Sequence, residues 1–357
     1  MGAAAILLLG TSLPSCTVAG CPIERVSTSH QTLGGVPLAC LDILGSSPAQ
    51  RTMERLARAG VTSFIAIVEA GIACAGDGRL LKPERQWKFE TRVLEHESEA
   101  CNAVATAAEQ LFSQNADYVF LVTLGGYVEF MPEEMLKFSR DHHDASVRLH
   151  DGFGAAGVWL LSAGCAARSA EADENYHLRE QAGAKTYFLD GYVNRLLHPR
   201  DVRRMVRDMF QARCNARPGG REIKPGTWVE ESAEVHRQAR IVAPAYIGRE
   251  SKVAAATLIT RSSSVEECCT VDYGTVVEDA SILADTYVGM GLDVTHAVVS
   301  GTTLVHLHQN LALDIYDEVL IGKTLQPGLR RMFRRHAQPA FKPTFQEEKQ
   351  SHAKGAL

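Results

Sequence analysis

The sequence predicts two units in series: an α/β domain built on a parallel sheet and, after it, a three-sided β-solenoid. Two patterns carry that expectation. Over residues 1–210, short apolar runs alternate with helical stretches, the arrangement of a sheet covered on both faces. From Val229 an aliphatic residue then returns every six positions, at Val235, Ile241, Ile247, Val253, Ile259, Val265, Val271, Val277 and Leu283. A second column, four residues after each, is small: Ala233, Ala239, Ala245, Ser251, Thr257, Ser263, Cys269, Thr275 and Ser281. A period of six fits neither a helix nor an ordinary strand. It fits one short strand and one corner per hexad, three hexads to a coil, with the aliphatic residue inside and the small one where the chain turns.

The elements follow in order. Residues 4–9, 63–68, 118–122 and 158–161 read as buried strands. Residues 49–59, 98–114 and 132–142 read as helices, the first ending at Gly60, a residue suited to the left-handed position after a helix. Arg, Pro and Gly crowd residues 213–226, which places the boundary there. Gly289 and Gly291 interrupt the hexads and predict a loop or irregular coil at 287–291, after which Val294, Val298, Val299 and Leu304 continue less regularly. The expected domains are 1–222 (α/β), 223–312 (solenoid) and 313–357 (a closing strand or helix and a mobile tail).

Composition excludes several classes. The 357 residues are 45% hydrophobic and 22% charged, which supplies a core for both units and rules out a wholly disordered or fibrous chain. A net charge of −5 gives no overall field suited to nucleic acid. No run of apolar residues is long enough for a membrane-spanning helix. The nine cysteines are scattered without a Cys-x-x-Cys pair, the usage of reduced thiols in the cytoplasm. Residues 1–16 have a short apolar run ahead of Leu13-Pro14-Ser15-Cys16 but no basic start, so they read as a first strand rather than a secretion signal.

The hexads resemble the hexapeptide-repeat, left-handed parallel β-helix family. The residues before them resemble the sugar nucleotidyltransferases (NDP-sugar pyrophosphorylases), with a layout similar to mannose-1-phosphate guanylyltransferase. Ala5-Ile6-Leu7-Leu8-Leu9-Gly10-Thr11-Ser12-Leu13 stands where that family has a strand and a Gly-rich phosphate loop, G-x-G-T-R. Val36-Pro37-Leu38, the segment from Leu41 to Pro48, and Leu56-Ala57-Arg58-Ala59-Gly60-Val61 follow in the family's order. So do Tyr118 to Gly126, the strand Ala155 to Leu161, and Phe188-Leu189-Asp190-Gly191 with His198-Pro199-Arg200-Asp201. The resemblance implies a Rossmann-like nucleotidyltransferase domain joined to a left-handed β-helix, and a reaction of NTP with sugar 1-phosphate giving NDP-sugar and pyrophosphate. It implies Gly10, Thr11 and Ser12 at the nucleotide, Gly125, Gly126 and Gly157 at the sugar, and Asp190 at Mg²⁺.

The charges that this chemistry needs are missing. Leu13 replaces the loop arginine, Val36 and Ser47 replace lysines before Pro37 and Pro48, and Gly126 replaces a metal-holding aspartate. The expectation is therefore a weak or inactive pseudoenzyme that binds a sugar nucleotide or NTP, needs Mg²⁺ only if active, and associates with itself or with an active paralogue. The alternative is a hexapeptide-repeat acyltransferase with His296 as base, chosen over His236, His306 and His308. Arg200, Arg203, Arg204 and Arg207 read as a solvated helix face. The tail, with Lys323, Arg330, Arg331, Arg334 and Arg335 among apolar residues, is a candidate membrane or acidic-partner contact, with a solvated C-terminus as the simpler reading.

Overall fold

The computed structural model describes residues 2–25, 31–73, 80–171 and 184–324. A seven-stranded sheet forms the first unit: β1 (Ala3–Leu9), β2 (Ser63–Glu69), β3 (Lys88–Leu94), β4 (Tyr118–Thr123), β5 (Val147–Asp151), β6 (Gly154–Ser162) and β7 (Lys185–Phe188), in spatial order β7-β5-β6-β4-β1-β2-β3. The helices are α1 (Pro48–Arg58), α2 (Ala70–Ala73), α3 (Ala100–Ser113), α4 (Pro132–Asp141), α5 (Ala163–Glu171) and α6 (Pro199–Phe210). β1 is apolar throughout because both its faces are covered. Ala5, Leu7 and Leu9 pack with Met53 and Leu56 of α1, while Ile6 and Leu8 pack with Val104 and Leu111 of α3.

The sheet is mixed, which corrects the expectation of an all-parallel one. β1, β2, β3 and β4 run parallel, but β6 is antiparallel to both β4 and β5. A turn at Gly152-Phe153 joins β5 to β6, too short to carry the helical crossover that parallel neighbours require.

The second unit has three sides of parallel strands, one containing Ala245–Ile247, Ser263–Val265 and Ser281–Ile282. Tyr246 lies opposite Ser264 and Val253 opposite Val271, an 18-residue coil as the hexads predict. Non-glycine residues in the left-handed region mark the corners at Glu250, Ala256, Ser262 and Cys268. The column of small residues also has a bonding role. Ser251 Oγ accepts from Cys269 N–H at 3.0 Å, and Ser263 Oγ accepts from Ala280 N–H at 3.2 Å. Each buried hydroxyl thus satisfies a corner amide of the next coil.

Two expectations about the solenoid fail at its far end. The next coil is one residue shorter, with Val265 opposite Ile282 and Val277 opposite Val294. Ile282 therefore enters the solenoid core, while Leu283 packs outward against the first unit and Ser281 faces α6. Nor is 287–291 an irregular loop. Thr286–Val288 continues the coil, and Ile321–Lys323 returns antiparallel across it. Gly289 permits that return, since a Cβ there would lie 2.1 Å from Val319 O.

The units meet along α6. Asp201 in its first turn reaches back to the entering chain, its Oδ2 accepting from the N–H groups of Leu197 and His198 at 2.8 and 3.1 Å. Val202, Met205, Val206 and Met209 pack with Leu38, Leu44, Tyr246 and Leu283. Arg203, expected on a solvated face, is 1% exposed. It donates to Ser262 O at 3.0 Å, Ser281 Oγ at 2.9 Å and Asp279 Oδ1 at 2.9 Å. Burial disfavours the Asp279 charge, but hydrogen bonds from Arg207, Arg203 and His296 outweigh it and hold the carboxyl well below its ordinary range. Nearby, the fully buried Glu266 accepts from Leu44 and Gly45 N–H at 3.0 and 3.1 Å.

Two outcomes test this seam. Asp279→Ala strands a buried guanidinium and is expected to cost about 3–5 kcal/mol in urea unfolding. The double change Arg203→Met/Asp279→Leu should cost less than the single one, and an equal or larger loss would refute the pairing. Burial raises Glu266 from 4.5 to about 8 against the opposing pull of its two backbone donors. A raised folded pKa favours the native state fully below pH 4.5, and that contribution disappears as pH climbs through about 8. Stability measured across that window should therefore decline in the wild type and decline less in Glu266→Gln.

Candidate functional site

The strand order places a topological switch between β1 and β4, because the chain moves from β1 to β2 and β3 on one side and then returns to β4 on the other. In open α/β sheets the crevice outside the carboxyl ends at such a switch is where ligands bind. Gly10, Thr11 and Ser12 follow β1 at this edge, and Gly125 and Gly126 follow β4. Gly157 joins them from antiparallel β6, its carbonyl accepting from Thr123 Oγ1 at 3.1 Å. The structure thus brings the nucleotide and sugar candidates to one edge. Asp190 follows β7 on the same edge but three strands beyond β4, where it is exposed and makes no ion pair among the described residues.

Each position where the resemblance implies a charge carries a residue with a packing or bonding role. Leu13 is 0% exposed and lies in the core with Ile6, Leu8 and Val18, so the chain after Ser12 turns into the protein. Val36 packs against the buried clusters, and Ser47 caps α1 by accepting from Gln50 N–H at 3.1 Å. A Cβ on Gly126 would lie 2.8 Å from Asn194 O and 3.0 Å from Arg195 Cα. At Gly10, φ is +78° and a Cβ would lie 1.9 Å from Ile72 Cδ1, with Glu69 Oε2 3.6 Å away. That carboxylate beside the loop opposes a phosphate.

Other charges of this part of the sheet, among the described residues, pair with one another. Arg195 binds Asp151 at 2.7 Å, and Glu24 takes Arg148 and, at 3.1 Å, His150 Nε2. Mg²⁺ needs converging carboxylate oxygens. Asp190 offers one and Asp151 is held by a guanidinium, so these residues do not fit the ion.

A second group lies on the solenoid. Asp279 and His296 occupy equivalent corners of successive coils, both with positive φ, and His296 Nδ1 is 2.7 Å from Asp279 Oδ2. His308 stacks on His296 with centroids 3.9 Å apart and planes 24° from parallel, and His306 meets His308 edge-on. Asp279, His296 and His308 have ligand atoms within 4.8 Å of one another, the one such trio among the described residues. They suit a metal poorly in this arrangement. Stacked imidazoles cannot both point a lone pair at one ion, and Asp279 already accepts from Arg203 and twice from Arg207 at 2.7 Å.

Asp279, Arg203, Arg207 and Glu69 were not singled out as site residues from the sequence. For Asp279 a signal existed: the inward series Val277, Ile282, Val288, Val294 and Val299 shortens twice, and those shortened corners hold Asp279 and His296. The basic tail from Arg330 onward lies outside the described residues. The eight described cysteines are free, and no described helix is long and apolar enough to cross a membrane. The chain matches no family model and no curated protein.

If Leu13 and Gly126 serve packing, restoring the charged residue types should damage the protein. Leu13→Arg is expected to lose more than about 3 kcal/mol by burying an unpaired charge, and Gly126→Asp to lower the melting temperature through its clash with Asn194. Calorimetry of each variant checks this, and full stability in either would show that the loop has room for the charge.

Proposed function

We propose that this chain is a sugar-nucleotidyltransferase-like pseudoenzyme, a Rossmann-like domain carried on a left-handed β-helix, that binds a sugar nucleotide weakly and regulates an active paralogue. The observation that carries the reading is Leu13. The loop residue that would neutralise phosphate charge lies in the hydrophobic core, while the glycines that shape the crevice remain on the edge. Transfer of a nucleotidyl group requires cations and metal-holding carboxylates around the reacting phosphates. Glu69 beside Gly10 and the lone Asp190 supply neither. The glycine-shaped edge supports binding, and the missing charge supports a role without turnover.

The test combines a pyrophosphate-release assay across NTPs and sugar 1-phosphates with a thermal-shift screen. The expected outcome is no turnover, together with a rise in melting temperature on adding an NDP-sugar that Mg²⁺ does not alter. Turnover with Mg²⁺ would overturn the pseudoenzyme reading. Silence across all nucleotides would overturn the binding role.

One observation favours a second reading. A carboxylate holding His296 Nδ1 at 2.7 Å is the arrangement that orients an imidazole as a general base, as an acyltransferase of the hexapeptide-repeat kind would use it. It is the weaker reading, because Asp279 is equally committed to two arginines. It requires acyl-CoA consumption that His296→Ala abolishes.

A further inference from the structure

The described cysteines fall into two groups by access. Cys21, Cys40, Cys165, Cys214 and Cys269 are buried, whereas Cys16, Cys101 and Cys268 are partly exposed. Cys74 lies outside the described residues. Cys268 has carboxylates for neighbours, Glu250 Oε2 at 3.7 Å and Glu267 Oε1 at 4.0 Å. Cys16 and Cys101 have each other. Cys16 opens the short strand Cys16–Val18, Cys101 stands on the first turn of α3, and the two thiols hydrogen-bond.

The backbone holds the two sulfurs together independently of that bond. Cα atoms of the strand and of α3 approach within 8 Å, close to the separation of about 5.5 Å that a disulfide spans. Both side chains pack on one apolar cluster with Leu13, Val18 and Val104, and the strand is fixed by its hairpin, where Cys16 lies opposite Ile23. The protons are assigned by the partners. Cys101 Sγ donates to Pro14 O at 3.8 Å, so the hydrogen between the two sulfurs belongs to Cys16. Burial first, and then this bond to Cys101, push the Cys16 thiol up to about 12. Cys16 therefore keeps its proton, and Cys101 is the sulfur that meets a reagent first.

We propose that Cys16 and Cys101 are a redox pair that closes to an intramolecular disulfide on reaction with a small-molecule disulfide of the glutathione kind. Cys101 loses its proton to solvent and attacks one sulfur of the reagent. The reagent's S–S bond breaks, and one small thiolate leaves and takes up a proton. Cys16 then gives up its proton and attacks the Cys101 sulfur of the mixed disulfide, expelling the second small thiol. Two protein thiols are oxidised, and one reagent disulfide is reduced to two thiols. Closure removes the thiol proton that Pro14 O accepts and ties the chain leaving Gly10-Thr11-Ser12 to the helix packed behind β1. The oxidation state is thereby set beside the candidate nucleotide loop, although the chemistry itself needs no nucleotide.

The test incubates the full chain with oxidised or reduced glutathione at mildly alkaline pH, blocks the remaining thiols with iodoacetamide and maps the peptides by mass spectrometry. One new cross-link is expected, Cys16 to Cys101, reversed by dithiothreitol, with the buried cysteines alkylated once the protein is unfolded. Because the bond closes a long loop of the unfolded chain, the oxidised protein should melt at least about 2 °C above the reduced one. The order of attack is read from two variants. Cys16→Ser should collect glutathione on Cys101, and Cys101→Ser at least about tenfold less on Cys16. Both cysteines still alkylated after oxidised glutathione, or either one cross-linked to a different cysteine, would overturn the pairing. A lower melting temperature would overturn it as well, since the bond would then form only at the expense of the fold. Equal glutathione on the two variants would overturn Cys101 as the attacking sulfur. The mapping uses the wild type, so it does not depend on either variant folding. None of these results bears on nucleotide binding at the sheet edge, which the NDP-sugar screen reads separately.

Discussion

One guanidinium removed from water fixes the arrangement of this molecule. Arg203 is 1% exposed, and a buried unpaired cation is among the costliest states a protein can hold. Its partner must therefore be placed accurately, and Asp279 is placed by backbone rather than by side-chain freedom. The solenoid drops one residue at that corner, φ at Asp279 turns positive, and the carboxylate faces α6 with Ser262 O and Ser281 Oγ beside it. The shortened coil also turns Leu283 outward into the apolar seam. A single deletion in the repeat thus supplies both the ion pair and the contact surface around it.

The same seam explains why the boundary segment is not a loose tether. Asn215 and Ala216 donate their N–H groups to Glu129 at 2.9 and 3.0 Å, and Gly219 donates to Leu44 O at 2.9 Å. Leu44 and Gly45 in turn donate to Glu266 on the solenoid. Polar groups enclosed by the docking of two units need partners, and here backbone amides of one unit are satisfied by a carboxyl of the other. The raised pKa of Glu266 is the residual cost of that enclosure.

Much of the architecture was legible in the sequence because it depends on period. The hexads gave the 18-residue coil, and the apolar runs gave β1, β2, β4 and β6 within a few residues. β3, β5 and β7 were not visible, since strands near a sheet edge carry polar residues such as Glu90, Arg92, Arg148 and Lys185 at half-exposed positions. The hexad series was carried one step too far, to Leu283, because Ile282 and Leu283 are both aliphatic and either satisfies a pattern of residue types. Arg203 was misjudged for a related reason. A helix with four arginines reads as solvated unless the surface that receives it is known, and that surface lies about 75 residues further along the chain. The fold brings the candidate glycines to one edge, yet their neighbours' roles as core and cap could only be read from packing.

A single element, α1, reaches from the seam between the units to the candidate edge of the sheet. α1 begins at the seam, where Ser47 caps it and the N–H of Gly45 just before it donates to Glu266 of the solenoid at 3.1 Å. Toward its other end, Arg55 donates to Val128 O at 2.6 Å and to Tyr127 OH at 2.8 Å, immediately after Gly125 and Gly126. Both sets of contacts are made by one eleven-residue helix with no proline past its first position and no glycine inside it to kink it. In α1 the seam of the two units and the glycine-bearing edge of the sheet are contacted by one element. Under the regulatory reading proposed above, α1 is the element that both ends would have to bias, since coupling between sites does not need catalysis at either.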